Sequence, residues 1–179
     1  MAVVMNNHRQ EFLMAQKFPL PSLIRIRPAK LEDLEELGKL WLYQRQYHEQ
    51  WDDLYVTNTT AQKTWIEQIL VAIEKPNHCI LVAEKDLGEV VGYIHGSFYP
   101  WPFSPKEYYG SLNTIVIAAE FQGQGIGKKL VQILLQWFRY HHIEHISVHV
   151  DYRNQRALKL YQQVGFRAYQ HHLMLDITN

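Results

Sequence analysis

Residues 122–129 read Gln-Gly-Gln-Gly-Ile-Gly-Lys-Lys, and this stretch decides the fold because three alternating glycines lead directly into an amphipathic segment. Glycine adopts left-handed backbone angles without strain, so a run of glycines lets successive backbone N–H groups converge on one point. The first turn of a following helix adds N–H groups with no intrahelical partner and the positive end of the helix dipole. The stretch therefore predicts a cradle for an anion, with phosphate or pyrophosphate as its expected ligand.

The spacing of these glycines excludes two common phosphate-binding loops. A Walker loop requires four residues between its glycine and its Gly-Lys pair and then Ser or Thr, whereas three residues separate Gly123 from Gly127 and Lys129 follows Lys128. A dinucleotide fingerprint requires G-x-G-x-x-G, whereas Gly123, Gly125 and Gly127 give G-x-G-x-G late in the chain. A strand-to-helix turn that binds no ligand stays open as the alternative.

The segments on both sides of the turn predict a strand–helix–strand unit. Residues 108–117 are rich in β-branched side chains towards their end, residues 130–141 carry a wide apolar helical surface, and residues 145–150 alternate as a strand does. A helix that joins two parallel strands makes a right-handed crossover. The turn then lies at the carboxyl end of its strand, where open α/β sheets bind ligands.

The rest of the chain predicts an ordered series of further strands and helices. These elements are a strand at 24–27 closed by Pro28, a helix from 31 to about 51, a helix capped by Thr59 or Thr60 and ended at 74–77, strands at 79–84 and 90–99, an irregular loop at 100–105, a helix at 154–164 capped by Asn154 and stopped by Gly165, and one or two closing strands at 166–177. The expected order is β-α-α-β-β-β-α-β-α-β.

Length and composition indicate one domain. The chain has 179 residues, 47% of them hydrophobic, and we expect an irregular arm at 1–22 and a single domain at 23–179. Lys and Arg total 18 against 18 Asp and Glu, so no overall field recruits nucleic acid or an anionic membrane. Cys79, the single cysteine, is predicted to be a buried strand residue and fits a reducing compartment. Without a membrane-spanning apolar run or a signal-peptide core in residues 1–20, we expect a cytoplasmic protein.

Two separated motifs resemble those of the GNAT superfamily of N-acetyltransferases. Gln122 with Gly125 and Gly127 fits the family's acyl-CoA pyrophosphate loop, which reads Arg or Gln, two residues, Gly, one residue, Gly or Ala. Residues 154–166 resemble the family's N-x-x-A-x-x-x-Y-x-x-x-G-F stretch. The resemblance covers residues 24–177 and implies the GNAT fold of the α/β (α+β) class, with a mixed central sheet of six to seven strands and about four helices.

The resemblance implies acetyl-CoA as the co-substrate and no metal. Ile115, Val116 and Ile117 would expose backbone groups to which pantetheine hydrogen-bonds as a pseudo-strand, and the plain alternative is a buried strand. The residues that would wrap the pyrophosphate are Gln122, Gly123, Gln124, Gly125, Ile126, Gly127 and Lys128. Lys128 or Lys129 would lie nearer the adenosine phosphate, although by itself each is predicted to be a solvated helix residue.

Two residues of the second motif have roles that the resemblance implies. In the transfer, a neutral amine attacks the thioester carbonyl, a tetrahedral oxyanion forms and CoA thiolate leaves. Tyr161 would lie at the cofactor and protonate that thiolate, whereas without the motif it is an ordinary half-buried aromatic residue. Asn154 would contact the cofactor arm or act only as the cap of its helix.

The proton acceptor is the least determined part of the expected site. A lysine-like amine has a pKa near 10.4, so exposing its neutral form at neutral pH costs roughly 4 to 5 kcal/mol. Many family members carry a carboxylate on the strand before the loop, but this chain has Asn113 and Thr114 there, and Asn113 can orient water or substrate without taking the proton. The other candidates are Glu107, Glu120, His95, His149 and Asp151.

The aromatic residues of the first two helices and of the loop at 99–109 indicate where an acceptor amine binds or where a homodimer forms. The prediction is an N-acetyltransferase that acts on a primary amine of a small molecule. A non-catalytic acyl-CoA-binding or sensing module and a peptide or protein N-acetyltransferase stay open as alternatives. A metal site built from His141, His142, His145 and His149 is disfavoured because these residues give no recognisable ligand geometry.

Overall fold

The structure is a computed structural model that describes residues 24–102, 108–175 and 177, except for the side chain of Leu87. The expected arm at 1–22, part of the proline-rich loop and Glu107 lie outside the described residues. The chain divides into two compact units, Met1–His149 and Val150–Asn179, and each is described by itself.

The first unit is built on a sheet in the order β1-β2-β3-β4-β5, so strands that follow each other in sequence are also neighbours in space. The strands are β1 (Arg25–Pro28), β2 (His78–Glu84), β3 (Val90–Pro100), β4 (Tyr108–Ile117) and β5 (Ile146–Val148). All neighbours pair antiparallel except β4 and β5, which are parallel. The mixed sheet confirms the predicted class, and the parallel pair confirms the predicted crossover around the glycine turn.

Among the described residues of the same unit are three α-helices, namely α1 (Leu34–Glu49), α2 (Thr59–Ile73) and α3 (Ile126–Tyr140). The side chain of Asn58 caps α2 by accepting a hydrogen bond from the N–H of Ala61 at 2.9 Å. The expected cap at Thr59 or Thr60 is therefore wrong, because Asn58 provides the cap oxygen and both threonines lie in the first helical turn. Among the described residues, no helix combines the length and apolar character needed to cross a membrane.

The two faces of the sheet pack against different helices. The cluster buried under α1 and α2 consists of Leu37, Leu40, Ile69, Ala72, Ile80, Val82, Tyr93 and Val116. The opposite face lies under α3, where Gly96 permits close approach because a Cβ there would lie 2.6 Å from Leu134. Cys79 pairs with Gly96 on this face and is buried, as predicted.

The second unit contains α4 (Gln155–Gln163). The side chain of Asn154 caps this helix by accepting a hydrogen bond from the N–H of Ala157 at 3.0 Å, which confirms the predicted cap. Gly165 ends the helix with a φ of +102°, and the N–H of Phe166 donates to the carbonyl of Tyr161 at 3.0 Å. This pattern is the Schellman motif, which satisfies the last carbonyls of a helix.

The predicted closing strands at 166–177 are wrong for the part of this segment that the structure describes, residues 166–175 and 177. Large apolar side chains in this segment are exposed, and Leu173 and Ile177 are each 88% exposed. A strand needs a partner for its backbone N–H and C=O groups, and β propensity in a sequence does not supply one. The described sheet therefore has five strands where six to seven were expected, and the element order ends at α4.

Candidate functional site

The glycine turn, residues 122–125, connects the end of β4 to the start of α3 and has the backbone conformation that the sequence predicts. Gly123 and Gly125 have φ values of +81° and +83°, a region that side chains other than glycine rarely adopt. Nothing lies within 4 Å of a Cβ added to either residue, so conformation rather than crowding requires glycine. Gly125 is the N-cap of α3 and provides no side-chain cap, so the first-turn N–H groups of α3 are available to an anion.

The two lysines after the turn differ in their surroundings. Lys128 is exposed, as expected of a solvated helix residue. Lys129 is only 8% exposed, and burial lowers its pKa below the ordinary value. The prediction that Lys129, judged by itself, is a solvated helix residue is wrong, because Lys129 lies three residues after Ile126 and four before Ile133, on the buried side of α3.

β4 contains one extra residue at Asn113. His95 of β3 lies opposite Thr114, and the next residue, Gly96, lies opposite Leu112. Asn113 therefore has no partner of its own in the β3–β4 register and forms a β-bulge. Bulges redirect a side chain and change the alternation of backbone groups along a strand.

The bulge reverses which backbone groups of β4 face each neighbouring strand. Before the bulge, the N–H of Gly110 donates to the carbonyl of the residue that precedes β5, at 2.8 Å. If the backbone groups alternated without a bulge, those of every even-numbered residue, Ala118 included, would face the β5 side. Instead, the N–H of Ala118 donates to a carbonyl of β3 at 2.9 Å. Beyond the bulge, Ile115 and Ile117 therefore direct their backbone groups away from β3.

This main-chain surface of Ile115–Ile117 is called the β4 edge. The described pairing of β4 with β5 stops at Leu112, so β5 does not cover the β4 edge. The carbonyls of Ile115 and Ile117 accept hydrogen bonds from side-chain amides, from Gln44 of α1 at 3.3 Å and from Gln122 at 2.7 Å. Val116 lies between them with its side chain in the core. The same strand thus contributes both to the core and to an edge that polar groups reach.

A polar cluster of His78, His95, Ser97 and Asn113 lies beside the bulge. The amide of Asn113 donates to the hydroxyl of Ser97 at 2.8 Å and lies 3.3 Å from Nε2 of His95. The same Nε2 lies 2.9 Å from Nδ1 of His78. Burial, with a smaller contribution from His78, lowers the pKa of His95 to about 3. His95 is therefore neutral at physiological pH and a weak proton acceptor.

The other candidate proton acceptors belong to different segments of the chain. Glu120 is exposed on the short turn after β4, and His149 is exposed at the end of the first unit. Asp151 belongs to the second unit, where Arg153 forms an ion pair with it at 2.7 Å. Glu107 lies outside the described residues. Only His95, among the described candidates, contacts Asn113.

Tyr161 and Asn154 belong to the second unit. Tyr161 is buried, and burial raises the pKa of its phenol above the ordinary value. Its ring packs against Phe166 at 5.7 Å, the contact that accompanies a Schellman motif. Tyr161 thus has a structural contact besides any chemical role, and Asn154 has its cap contact.

A groove between α1 and α2 was not predicted from the sequence, although the acceptor side was expected near these helices. The groove has a volume of about 540 Å³ and is lined by Trp41, Arg45, Val56, Thr57, Asn58, Thr60, Ala61, Thr64, Trp65 and Gln68. The rings of Trp41 and Trp65 stack at 5.5 Å. The spacing of Trp41 and Arg45, four residues apart on α1, was the available signal that they share one helix face. We call this cavity the α1–α2 groove.

The described residues contain no group of three or more His, Cys, Asp or Glu side chains that could hold a metal ion. His141, one of the four histidines weighed as ligands, packs against Trp137 at 4.8 Å and against Phe98 at 5.2 Å. His142, His145 and His149 are exposed.

Comparison with known proteins adds a family and a fold. A family model described as the Acetyltransferase (GNAT) family matches residues 39–166, which include the glycine turn, the β4 edge and Tyr161. The chain is 33% identical over 64 residues to the uncharacterized N-acetyltransferase YobR of Bacillus subtilis (strain 168), a match that covers 36% of this chain and 26% of that relative.

A second relative and one solved structure match over longer regions. The spermine/spermidine N(1)-acetyltransferase of Bacillus subtilis (strain 168) is 28% identical over 120 residues, which cover 64% of this chain and 78% of that protein. The solved structure of a tetramutant of a Bacillus halodurans protein has a TM-score of 0.76 and 18% identity, over 86% of this chain and 99% of that chain. At this identity the structural likeness indicates the fold alone.

Proposed function

The chain belongs to the Acetyltransferase (GNAT) family, and from this membership we propose that it transfers the acetyl group of acetyl-CoA to a primary amine of a small molecule. One observation carries the proposal. The β4 edge and the glycine turn follow each other along the chain, so hydrogen-bonding main chain leads directly to an uncapped helix start. That arrangement suits a ligand with an amide-containing arm attached to a pyrophosphate.

The cofactor side of the proposed site uses the backbone. The β4 edge binds the pantetheine arm through the main-chain groups of Ile115 and Ile117, which are reached by side-chain amides in this structure. The segment from Gln122 to Lys128 binds the pyrophosphate through N–H groups, with the positive φ values of Gly123 and Gly125 supporting this role. Asn154 contacts the cofactor arm in addition to capping α4.

The acceptor amine must lose a proton before it attacks, and the described residues beside the bulge include no strong base. Taking the proton directly from an ammonium with a pKa near 10.4 by His95, whose pKa is about 3, would cost about 10 kcal/mol. Asn113 therefore orients the amine or a water molecule, and its contacts with Ser97 and His95 hold its amide in place. The proton passes to solvent.

Tyr161 supplies a proton to the CoA thiolate as the thioester C–S bond breaks. Because burial raises the pKa of its phenol, Tyr161 keeps this proton throughout the neutral range. The likeness to a spermine/spermidine N(1)-acetyltransferase supports a small-molecule amine as acceptor over a peptide or protein amine.

The proposal is tested by measuring thiol release from acetyl-CoA in the presence of polyamines, amino acids, aminoglycosides and peptides, with a no-amine reaction as the baseline. We expect amine-dependent thiol release with at least one small amine and acetylated product by mass spectrometry. Tight binding of acetyl-CoA without turnover across the whole panel would instead favour a non-catalytic acyl-CoA-binding or sensing module.

A further inference from the structure

The α1–α2 groove has an unusual charge pattern for an enzyme that accepts amines. Among the described residues that line it, Arg45 is the only ionisable one, and the others are apolar, hydroxyl or amide residues. A polyamine or another polycation is bound by carboxylates, and no carboxylate is present in the described lining of this groove. The charge of the lining therefore favours an anionic group on the ligand.

The guanidinium of Arg45 is held in place but is not neutralised by a carboxylate. Its Nη2 donates a hydrogen bond to the carbonyl of Leu54 at 2.9 Å, and its Cζ lies 5.0 Å from the ring centroid of Tyr55. Its Nε is buried and makes no hydrogen bond to any described residue. Within residues 24–102 and 108–175, no Asp or Glu forms an ion pair with Arg45.

The carboxylates closest along the chain are engaged elsewhere. Oε1 of Glu49 accepts a hydrogen bond from the N–H of Thr57 at 3.3 Å, and Oδ1 of Asp52 accepts one from the N–H of Leu54 at 3.0 Å. Neither residue lines the groove. Arg45 can therefore offer two N–H groups to a carboxylate in the bidentate geometry that guanidinium favours.

Helix α1, which lines the groove through Trp41 and Arg45, also contacts the β4 edge. Gln44, the residue before Arg45, donates to the carbonyl of Ile115 on that edge. On the other helix, Trp65 packs against Tyr93 of β3 at 5.8 Å. The helix that supplies Trp41 and Arg45 to the groove thus also contacts the strand to which the acetyl group is delivered under the proposed function.

From this geometry we infer that the α1–α2 groove binds a primary amine that also carries a carboxylate, in the manner of an amino acid with an aromatic or apolar side chain. The carboxylate pairs with Arg45, and the side chain lies on the wall formed by Trp41 and Trp65. The inference rests on the proposed function for the chemical step.

The test compares amines that differ only in the carboxylate. The pairs are phenylalanine with phenethylamine and tryptophan with tryptamine, and spermidine is the polycation. In the full chain with acetyl-CoA, we expect kcat/KM for each amino acid to exceed that of its decarboxylated partner by about 10-fold or more, the range for a charge-assisted hydrogen-bonded pair. A higher kcat/KM for spermidine or for the decarboxylated amines would overturn the inference.

Arg45→Gln should remove this preference by lowering kcat/KM for the amino acids about 10-fold and leaving the decarboxylated amines within about 3-fold. Lys39→Gln is the matched control, because Lys39 is a cation of α1 that pairs with Glu35 and Glu36 on the surface. An unchanged preference in Arg45→Gln would overturn the assignment of Arg45. If this variant does not fold, the comparison of amine pairs in the unaltered protein still decides the question.

Binding separates this inference from the proposed function. Phenylalanine and phenethylamine are titrated against the intrinsic fluorescence of the protein, to which Trp41 and Trp65 contribute. Binding of phenylalanine at least about 10-fold tighter than phenethylamine, without any acetylation, would support the groove assignment and contradict the proposed reaction. Equal affinities, or tighter binding of phenethylamine, would contradict the groove assignment whether or not turnover occurs.

Discussion

The β4 edge with its glycine turn and the α1–α2 groove both adjoin α1, through Gln44 and Arg45, but they are built from different groups. The edge and the turn present main chain, namely the carbonyls of Ile115 and Ile117 and the N–H groups that start α3. The groove presents side chains, with two tryptophans and one arginine among hydroxyl and amide groups.

This difference indicates how each region responds to sequence change. Main-chain groups keep their positions when most neighbouring side chains are replaced, but they depend on the φ angles of two glycines and on the register of β4. Side-chain groups in a groove can be exchanged one at a time without loss of the fold. We therefore expect the cofactor half of the site to be fixed by backbone geometry and the acceptor half to be easily altered.

The largest expected effect comes from a substitution at Gly125 in the glycine turn. In Gly125→Asp, a φ of +83° is unfavourable for a residue with a Cβ, and the new carboxylate repels a pyrophosphate at the start of α3. We expect acetyl-CoA to bind at least about 100-fold more weakly, the result of about 3 kcal/mol of lost binding free energy, by isothermal titration calorimetry.

Gly88→Asp is the matched control for this substitution. Gly88 has a φ of +88°, and nothing lies within 4 Å of a Cβ added there, so the variant carries the same backbone strain away from the turn. Acetyl-CoA affinity in Gly88→Asp should stay within about 2-fold of the unaltered protein. Affinity that is equally reduced in both variants would attribute the loss to strain rather than to the turn.

Tyr161→Phe tests whether the hydroxyl of Tyr161 acts in the chemical step while main-chain groups bind acetyl-CoA. Phenylalanine keeps the ring contact with Phe166 and loses only the hydroxyl. We expect kcat to fall about 100-fold with little change in acetyl-CoA affinity, and the difference to persist from pH 7 to 9 because burial raises the pKa of Tyr161. Turnover that is unchanged across this range would contradict the proton-donor role. Tyr152→Phe, a change at an exposed tyrosine of the same unit, is the control.

The polar cluster beside the bulge predicts a pH dependence of stability. The folded-state pKa of His95 is about 3 and its unfolded value is about 6.5, so the unfolded state binds the proton first as the pH falls. His95 thus contributes stability that is present above pH 6.5 and is lost on acidification, by up to about 1.4 kcal/mol per pH unit.

Urea unfolding at pH 7 and at pH 5 measures this contribution. His95→Gln should lose less stability between the two pH values than the unaltered protein does. His145→Gln, a change at an exposed histidine, should match the unaltered protein. Parallel losses in all three proteins would contradict the linkage to His95.

The smallest expected effect comes from a substitution at Gln44, the residue of α1 that contacts the β4 edge. Its amide donates to the carbonyl of Ile115, which the proposed pantetheine arm also uses. Gln44→Leu removes this donor, so we expect acetyl-CoA to bind up to about 5-fold more tightly, since one neutral hydrogen bond contributes about 1 kcal/mol. Weaker binding in this variant would show that Gln44 supports the edge rather than competing for it.

The β4 edge and the glycine turn were more predictable from the sequence than the α1–α2 groove. The glycine turn follows from the alternation of Gly123, Gly125 and Gly127, and the predicted bounds of β4 agree with the structure. The cap at Asn154 and the stop at Gly165 were also predicted, because each depends on the chemistry of a single residue at a helix end.

Features that depend on distant partners were not predictable in the same way. The bulge at Asn113 is defined only by the register of β3, and the α1–α2 groove requires two helices and the loop between them to be placed together. The closing strands were predicted from residue type alone, although a strand also needs a ladder partner. The burial of Lys129 could have been predicted, since helical periodicity places it on the same helix face as Ile126 and Ile133.

The bulge at Asn113 also determines which genetic changes this strand tolerates. A loss of three nucleotides that removed one residue at this point would leave every other amino acid of β4 unchanged. Thr114 would then follow Leu112 directly, so ordinary alternation would still direct the backbone groups of Ile115 and Ile117 away from β3 and keep the side chains beyond the deletion on their present faces of the sheet. In descendants of this protein, the orientation of the β4 edge therefore tolerates loss of the bulge residue better than loss of one residue within Ile115–Ile117, which would reverse the alternation of the groups beyond it.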